Sequence, residues 1–163
     1  MNGPISPDLR LSELLSVTGI ALNLKGTVRD EILRELVHHI PEIAGRPEAQ
    51  LALLQLLKER EQLHSTGIGD GIALPHARNA LGDVLQRPII VFGRHAQGIA
   101  YGSIDGNPVR LFFLMAAVNL TQHLHLLARL SRVLRDKTLR QALLTADQPE
   151  QVLQLIREAE ARL

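Results

Sequence analysis

Apolar residues recur along this chain at two spacings, and their order predicts its elements. Ile32, Leu33, Leu36, Val37 and Ile40 form one helical stripe, with Thr27 as N-cap, Asp30 and Glu31 in the first turn and Pro41 ending or kinking it. A second helix opens at Gly45-Arg46-Pro47, is expected to bury Leu51, Leu53, Leu54, Leu56, Leu57 and Leu63, and closes with Lys58-Glu59-Arg60-Glu61. Upstream, Leu9 to Leu15 predicts a short helix capped near Ser12, and Ile20 to Leu24 a first strand before a Lys25-Gly26 turn. Shorter apolar runs read as strands over Ile72-Ala73-Leu74, Pro88 to Phe92 and Gly98 to Tyr101. Val109 to Val118, after an Asp105-Gly106 turn, is the most strand-like run in the chain. From Thr121 onward the pattern is helical, with Thr121 as cap and Leu124, Leu127, Leu130 and Leu134 as the stripe. Asp136-Lys137 breaks it, a short helix covers Leu139 to Leu144, and Gln148-Pro149-Glu150 opens a last helix burying Val152, Leu153, Leu155 and Ile156. Helices before, between and after a few strands predict an α/β, single-domain layered sandwich over residues 9–163, following a loose terminus over residues 1–8.

Composition narrows this picture. The 163 residues include no tryptophan, one tyrosine and three phenylalanines, so the core must be aliphatic. With 18 basic and 17 acidic residues there is no electrostatic footprint for nucleic acid or an anionic membrane. No apolar run is long enough to span a bilayer and no signal peptide is recognisable, so cytoplasmic residence is the default expectation. Cysteine is absent, which excludes disulfides, thiolate metal sites and a cysteine nucleophile within these residues.

The candidate chemistry centres on Ser65-Thr66-Gly67-Ile68-Gly69-Asp70-Gly71-Ile72-Ala73-Leu74-Pro75-His76-Ala77-Arg78. Three alternating glycines permit sharp turns and close approach, Ile72-Ala73-Leu74 reads as a short buried strand, and Pro75 stiffens the exit to His76. Imidazole is a usable nucleophile near neutral pH. A histidine held at a strand end, beside glycine-rich backbone able to receive an anion, suits phosphoryl acceptance.

This stretch resembles the signature of the enzyme IIA proteins of the bacterial phosphoenolpyruvate-dependent phosphotransferase system, fructose/mannitol class, including the nitrogen-regulatory IIA proteins. The resemblance covers nearly the whole chain and implies a mixed central β-sheet flanked by helices. It implies that His76 takes the phosphoryl group, on the ring nitrogen farther from the backbone. His123, in His123-Leu124-His125-Leu126-Leu127-Ala128, matches the family's second active-site histidine. Arg60, in Glu59-Arg60-Glu61, matches its arginine.

The residues themselves speak to these roles. His123 falls in the first turn of a predicted helix, where backbone N–H groups favour anions, although a capping or surface histidine fits the same spacing. Arg60 offers a guanidinium fork for phosphate oxygens, or belongs to a solvated charge cluster. Ser65 and Thr66 either donate hydroxyl hydrogen bonds to the site or simply end the helix. His125 lies about 200° around the helix from His123 and is assigned to the surface. His38 and His39 read as structural, His64 as peripheral to the site, and His95 carries no motif. Three positions depart from the commonest signature: Asp70 where asparagine is usual, Ala77 where glycine is usual, and Asn119-Leu120 where a proline often ends the strand.

The leading expectation is a phosphocarrier, a phosphotransferase in the sense of a phosphohistidine carrier. The resemblance implies HPr or a regulatory paralogue as donor, and a separate IIB protein or a regulatory target as recipient, since IIB domains of this class use a cysteine. The alternative is a phosphorylation-dependent binding module with no onward transfer, switched by about two added negative charges. The chemistry calls for no metal and no organic cofactor, and no His-Glu-x-x-His spacing supports a metal hydrolase. A leucine-rich helical exterior is compatible with a homodimer.

Overall fold

A computed structural model describes residues 9–82 and 84–163; the terminus expected to be loose, 1–8, lies outside them. The strands are β1 (Leu15–Ala21), β2 (Gly67–Gly69), β3 (Ile72–Ala73), β4 (Ile89–Ile99) and β5 (Val109–Ala116). They form one sheet in the order β1-β4-β5-β3-β2. β1 runs parallel to β4 and β3 parallel to β5, while β4–β5 and β2–β3 are antiparallel. The sheet is therefore mixed, as the resemblance implies. The helices are α1 (Leu11–Leu14), α2 (Arg29–His38), α3 (Pro47–Leu63), α4 (Leu120–Val133), α5 (Lys137–Thr145) and α6 (Pro149–Ala161), with a 3₁₀ turn at Pro41–Ile43.

Each face of the sheet carries its own apolar layer. On one, Val91, Phe112 and Leu114 meet Ile32, Leu33, Leu36 and Val37 of α2 and Leu53, Leu54 and Leu57 of α3. On the other, Phe92, Phe113 and Met115 meet α1, α4, α5 and α6. Phe92 and Phe113 pack edge to face with centroids 5.1 Å apart, and all three phenylalanines sit in the central strand pair, β4 and β5.

Several expected boundaries move, each for a local reason. The first strand is Leu15–Ala21 rather than 20–24, because the segment from Leu15 pairs with β4 across a bulge between Leu15 and Ile20. The stretches 88–92 and 98–101 are not two strands: β4 runs from Ile89 to Ile99, and its irregularity between Arg94 and Ile99 mimics a break in the apolar pattern. His95 tightens that irregularity by accepting N–H bonds from Gln97 and Gly98 at Nδ1. The caps shift too. α1 has no side-chain cap at Ser12, α2 is preceded by Val28 while Thr27 donates to Glu31, and Asn119 rather than Thr121 caps α4. In α3 only Leu53, Leu54 and Leu57 of the expected leucines are buried; Leu51, Leu56 and Leu63 are exposed, and Glu61 completes the stripe. In α4 Leu124 faces out, and His123, Leu126, Leu130 and Val133 face in.

One buried carboxylate ties three elements on the second face. Glu160 of α6 accepts N–H bonds from Leu11 (2.6 Å) and Ser12 (3.0 Å) at the start of α1, and from Arg129 Nε of α4 (2.8 Å). Its side chain has no exposure. Burial raises its pKa, but Arg129 and the two backbone donors outweigh that and hold it below the ordinary carboxylate value. Glu160→Gln is expected to cost about 3 kcal/mol in urea denaturation at pH 7, because Arg129 and two amides lose their anion. A depressed folded pKa contributes stability present above the unfolded pKa and lost as pH falls through the folded one, so the difference between the two proteins should shrink below about pH 4. Equal stability at pH 7 would show that the carboxylate holds nothing.

Candidate active site

The glycine-rich stretch folds as a hairpin whose tip is Asp70-Gly71. Both carry positive φ, 56° and 76°, the requirement of a two-residue type I′ turn. Aspartate at position 70 is thereby accounted for: Asp-Gly is a favoured pair at such a tip, and Asp70 is exposed there with its N–H donated to Asp105. From the tip β3 runs away toward His76. Leu74 N–H donates to the Thr66 carbonyl (3.0 Å), and Met115 N–H of β5 donates to the Pro75 carbonyl (3.0 Å). The strand end is therefore held from both sides, and His76 follows directly.

Backbone holds the imidazole as well. His76 Nδ1 lies 2.6 Å from the Leu74 carbonyl oxygen. A carbonyl only accepts, so Nδ1 carries the proton and Nε2 keeps its lone pair. His123, 6% exposed, comes from the first turn of α4, which Asn119 caps by accepting from Gln122 N–H (2.9 Å). The two rings meet edge to face, centroids 5.4 Å apart and planes at 71°. The Arg60 guanidinium is near enough to both that its charge disfavours their protonation. For His76 burial is the largest effect, opposed by the Leu74 hydrogen bond and reinforced by Arg60 and His123, and its pKa falls to about 4. For His123 burial leads and Arg60 adds, again lowering the pKa. Two neutral imidazoles thus lie edge to face within the field of one permanent cation.

Other expectations resolve differently. Ser65 Oγ donates to the Tyr101 carbonyl (2.8 Å) and accepts from Gly67 N–H, and Thr66 Oγ1 donates to Glu61 (2.5 Å), so both hydroxyl hydrogens are engaged away from the histidines. The glycines do not offer an open anion cradle either. Gly67 lies against the 101–106 loop so closely that a Cβ would sit 2.9 Å from Ser103 Cα, and Gly69 N–H donates to Ser103 Oγ. His125 is half-buried rather than on the surface, with a buried Nε2 that has no partner among the described residues. His64 is exposed and contributes its carbonyl, which accepts from Arg60 Nη1 (2.6 Å). His39 Nδ1 bonds the Glu35 carbonyl where α2 ends, a structural role. Among the described residues no group of three or more His, Cys, Asp or Glu side chains could hold a metal. Glu61 was missed: buried at 4% exposure, it accepts from Thr66 N–H (2.9 Å), Thr66 Oγ1 and Tyr101 Oη (2.9 Å). Its signal is the i, i+4 spacing from Leu53 and Leu57.

Residues 13–159 match the profile of the phosphoenolpyruvate-dependent sugar phosphotransferase system family EIIA 2. The chain belongs to this family. The EIIABC component of the fructose-specific system of Bacillus subtilis is 34% identical over 152 residues, 92% of this chain but only 23% of that longer protein. The nitrogen regulatory protein of Escherichia coli is 34% identical over 155 residues, 85% of this chain and 92% of its own length. The crystal structure of the nitrogen regulatory protein IIA-Ntr from Neisseria meningitidis superposes with a TM-score of 0.77 at 27% identity, covering 89% of this chain and 97% of that one. This EIIA domain is accordingly a phosphocarrier of that system. Beside Ala77 it also carries a cleft of about 340 Å³ lined by Arg60, Arg78, Glu59 and Asn79 together with Leu56, Leu63 and Leu81.

A pKa near 4 keeps His76 neutral through the physiological range. In NMR titration its ring is expected to show a midpoint near 4, with the proton on Nδ1 at pH 7. Since the unfolded chain takes up this proton near 6.5, His76 lowers stability as pH falls from there toward 4, and His76→Ala should remove that component. A midpoint near 6.5 would contradict the burial described.

Proposed function

We propose that His76 Nε2 is the phosphoryl acceptor of this EIIA domain, with His123 and Arg60 as its partners in the site. The observation that carries the reading is the Leu74 carbonyl on Nδ1, which leaves Nε2 as the nucleophilic nitrogen. The Nε2 lone pair attacks phosphorus, the N–P bond forms, and the donor's bond to phosphorus breaks with its electron pair returning to the donor. His76 releases no proton. Its ring gains positive charge as the bond forms, and the Leu74 carbonyl is already in place to stabilise the Nδ1–H. Arg60 offers N–H donors to the phosphoryl oxygens, and His123 borders the same space.

The donor in this reading is phosphorylated HPr or a regulatory paralogue, and the recipient is a IIB cysteine outside these 163 residues. The mixed cleft beside Ala77, two arginines against the single carboxylate of Glu59 among leucines, suits a protein surface bearing an anionic group. Transfer of this kind belongs in the cytoplasm, and no described helix is long and apolar enough to cross a membrane. The equal identity to a fructose-system protein and to a nitrogen regulatory protein supports a second reading. In it, the phosphoryl charge is the output, altering which partner binds without onward transfer.

Intact-mass spectrometry after incubation with phosphoenolpyruvate, enzyme I and HPr tests both readings. Wild type is expected to gain one acid-labile phosphoryl group and His76→Ala none. Arg60→Ala and His123→Ala should take it up about 10²-fold more slowly, the scale of losing one transition-state donor. An adduct that survives in His76→Ala would move the acceptor elsewhere. Onward transfer to a IIB domain separates the carrier from the pure signal.

A further inference from the structure

We propose that Glu61 is a positioning residue for phosphoryl acceptance, its buried carboxylate setting the strand end that orients the His76 ring. The inference rests on His76 as acceptor and goes beyond it by naming what holds the acceptor.

Glu61 sits where α3 ends, facing inward below Leu53 and Leu57. Among the described residues no Lys, Arg or His pairs with it; its three partners are neutral donors. A leucine would serve burial better than an unpaired anion, so the carboxylate's contribution lies in what it binds. Oε1 takes Thr66 N–H and Oε2 takes Thr66 Oγ1, a two-point grip that fixes one residue's backbone and side chain together. Tyr101 Oη adds the third donor. Burial, then the Glu61 charge, push the Tyr101 pKa well above its ordinary value, so it stays a protonated donor.

Thr66 is the pivot. Its carbonyl accepts from Leu74 N–H (3.0 Å), and the Leu74 carbonyl accepts from His76 Nδ1 (2.6 Å). An unbroken sequence of hydrogen bonds thus links the Glu61 carboxylate to the nucleophile's ring. The adjoining residue is Arg60, whose Nη1 grips the His64 carbonyl of the same chain reversal. Two neighbouring residues of α3 therefore hold this reversal, Arg60 at His64 and Glu61 at Thr66. If Thr66 shifts, Leu74 shifts with it, and a ring displaced by tenths of an ångström loses in-line alignment.

The test compares wild type, Glu61→Gln and Thr66→Val. Glutamine keeps the shape of the side chain but offers one acceptor oxygen and presents an NH2 group to donors; valine replaces the hydroxyl with a methyl of similar size. Long-range ¹H–¹⁵N NMR of the unphosphorylated proteins reads the His76 tautomer without any donor. Rapid-mixing phosphorylation by HPr reads kcat and KM. In Glu61→Gln we expect Nε2–H signal to appear and kcat to fall about 10- to 100-fold, with the donor KM changed less than about twofold; Thr66→Val should lie between. A role confined to stability would lower the melting temperature yet leave the tautomer and kcat of the folded protein at wild-type values, and that result overturns the proposal. Should wild type accept no phosphoryl group while the tautomers differ, the acceptor reading fails and the positioning link stands.

Discussion

The 2.6 Å hydrogen bond from His76 Nδ1 to the Leu74 carbonyl is the contact on which the proposed chemistry depends. It decides which nitrogen keeps a lone pair, and it sits where positive charge must develop when that nitrogen takes up phosphorus. Burial alone would penalise the charge: the same environment that drives the pKa to about 4 makes a cationic ring costly. An acceptor therefore needs burial to stay neutral beforehand and a fixed dipole to tolerate charge afterwards. Leu74 supplies the dipole because its own N–H is paired to Thr66 and because β5 holds the next carbonyl, that of Pro75. The sheet thus reaches the imidazole through backbone alone.

This shifts the meaning of the glycine-rich stretch. Its alternating glycines suggest a loop that wraps an anion, but here its backbone N–H groups face Ser65, Ser103 and Asp105. The glycines allow a tight hairpin to pack directly beneath another loop, and the result is stiffness at a distance from the reaction. In the proposed reading phosphoryl recognition falls instead to side chains from two helices: Arg60 at the end of α3 and His123 in the first turn of α4. Three elements that are remote in sequence converge because the hairpin abuts β5, whose exit leads into α4.

That division explains what could be read before the fold was known. Apolar stripes located the helices, since burial of Ile32, Leu33, Leu36 and Val37 or of Val152 and Ile156 follows from spacing. Residues whose proposed roles come from their own chemistry, His76, His123 and Arg60, stand out by type and motif. Residues whose roles come from partners do not. Glu61 belongs to a charged run by composition, and only the tertiary approach of Thr66 and Tyr101 makes it an interior anchor. Ser65 and Thr66 look like phosphate donors until the fold engages their hydroxyls elsewhere. The long β4 read as two strands because a bulge interrupts periodicity without ending the ladder, which pairing with β5 alone reveals.

The same separation bears on how one site serves relatives with different outputs. The geometry that leaves His76 Nε2 unprotonated is internal, built from backbone carbonyls, a buried carboxylate and the buried His123 ring beside a half-buried His76. What a partner meets is external: Arg78 is exposed, as are Leu63 on α3 and Leu120 and Leu124 on either side of His123. None of these exposed side chains takes part in the hydrogen bonds that hold the imidazole. Surface residues can thus change to suit a sugar-pathway recipient or a regulatory target without disturbing the acceptor. In the proposed reading the added phosphoryl charge falls where the two layers meet, beside Arg60, which also lines the outer cleft. A guanidinium bound to the His64 carbonyl through one nitrogen still has N–H groups to offer, so it can meet that charge without releasing the turn it stabilises.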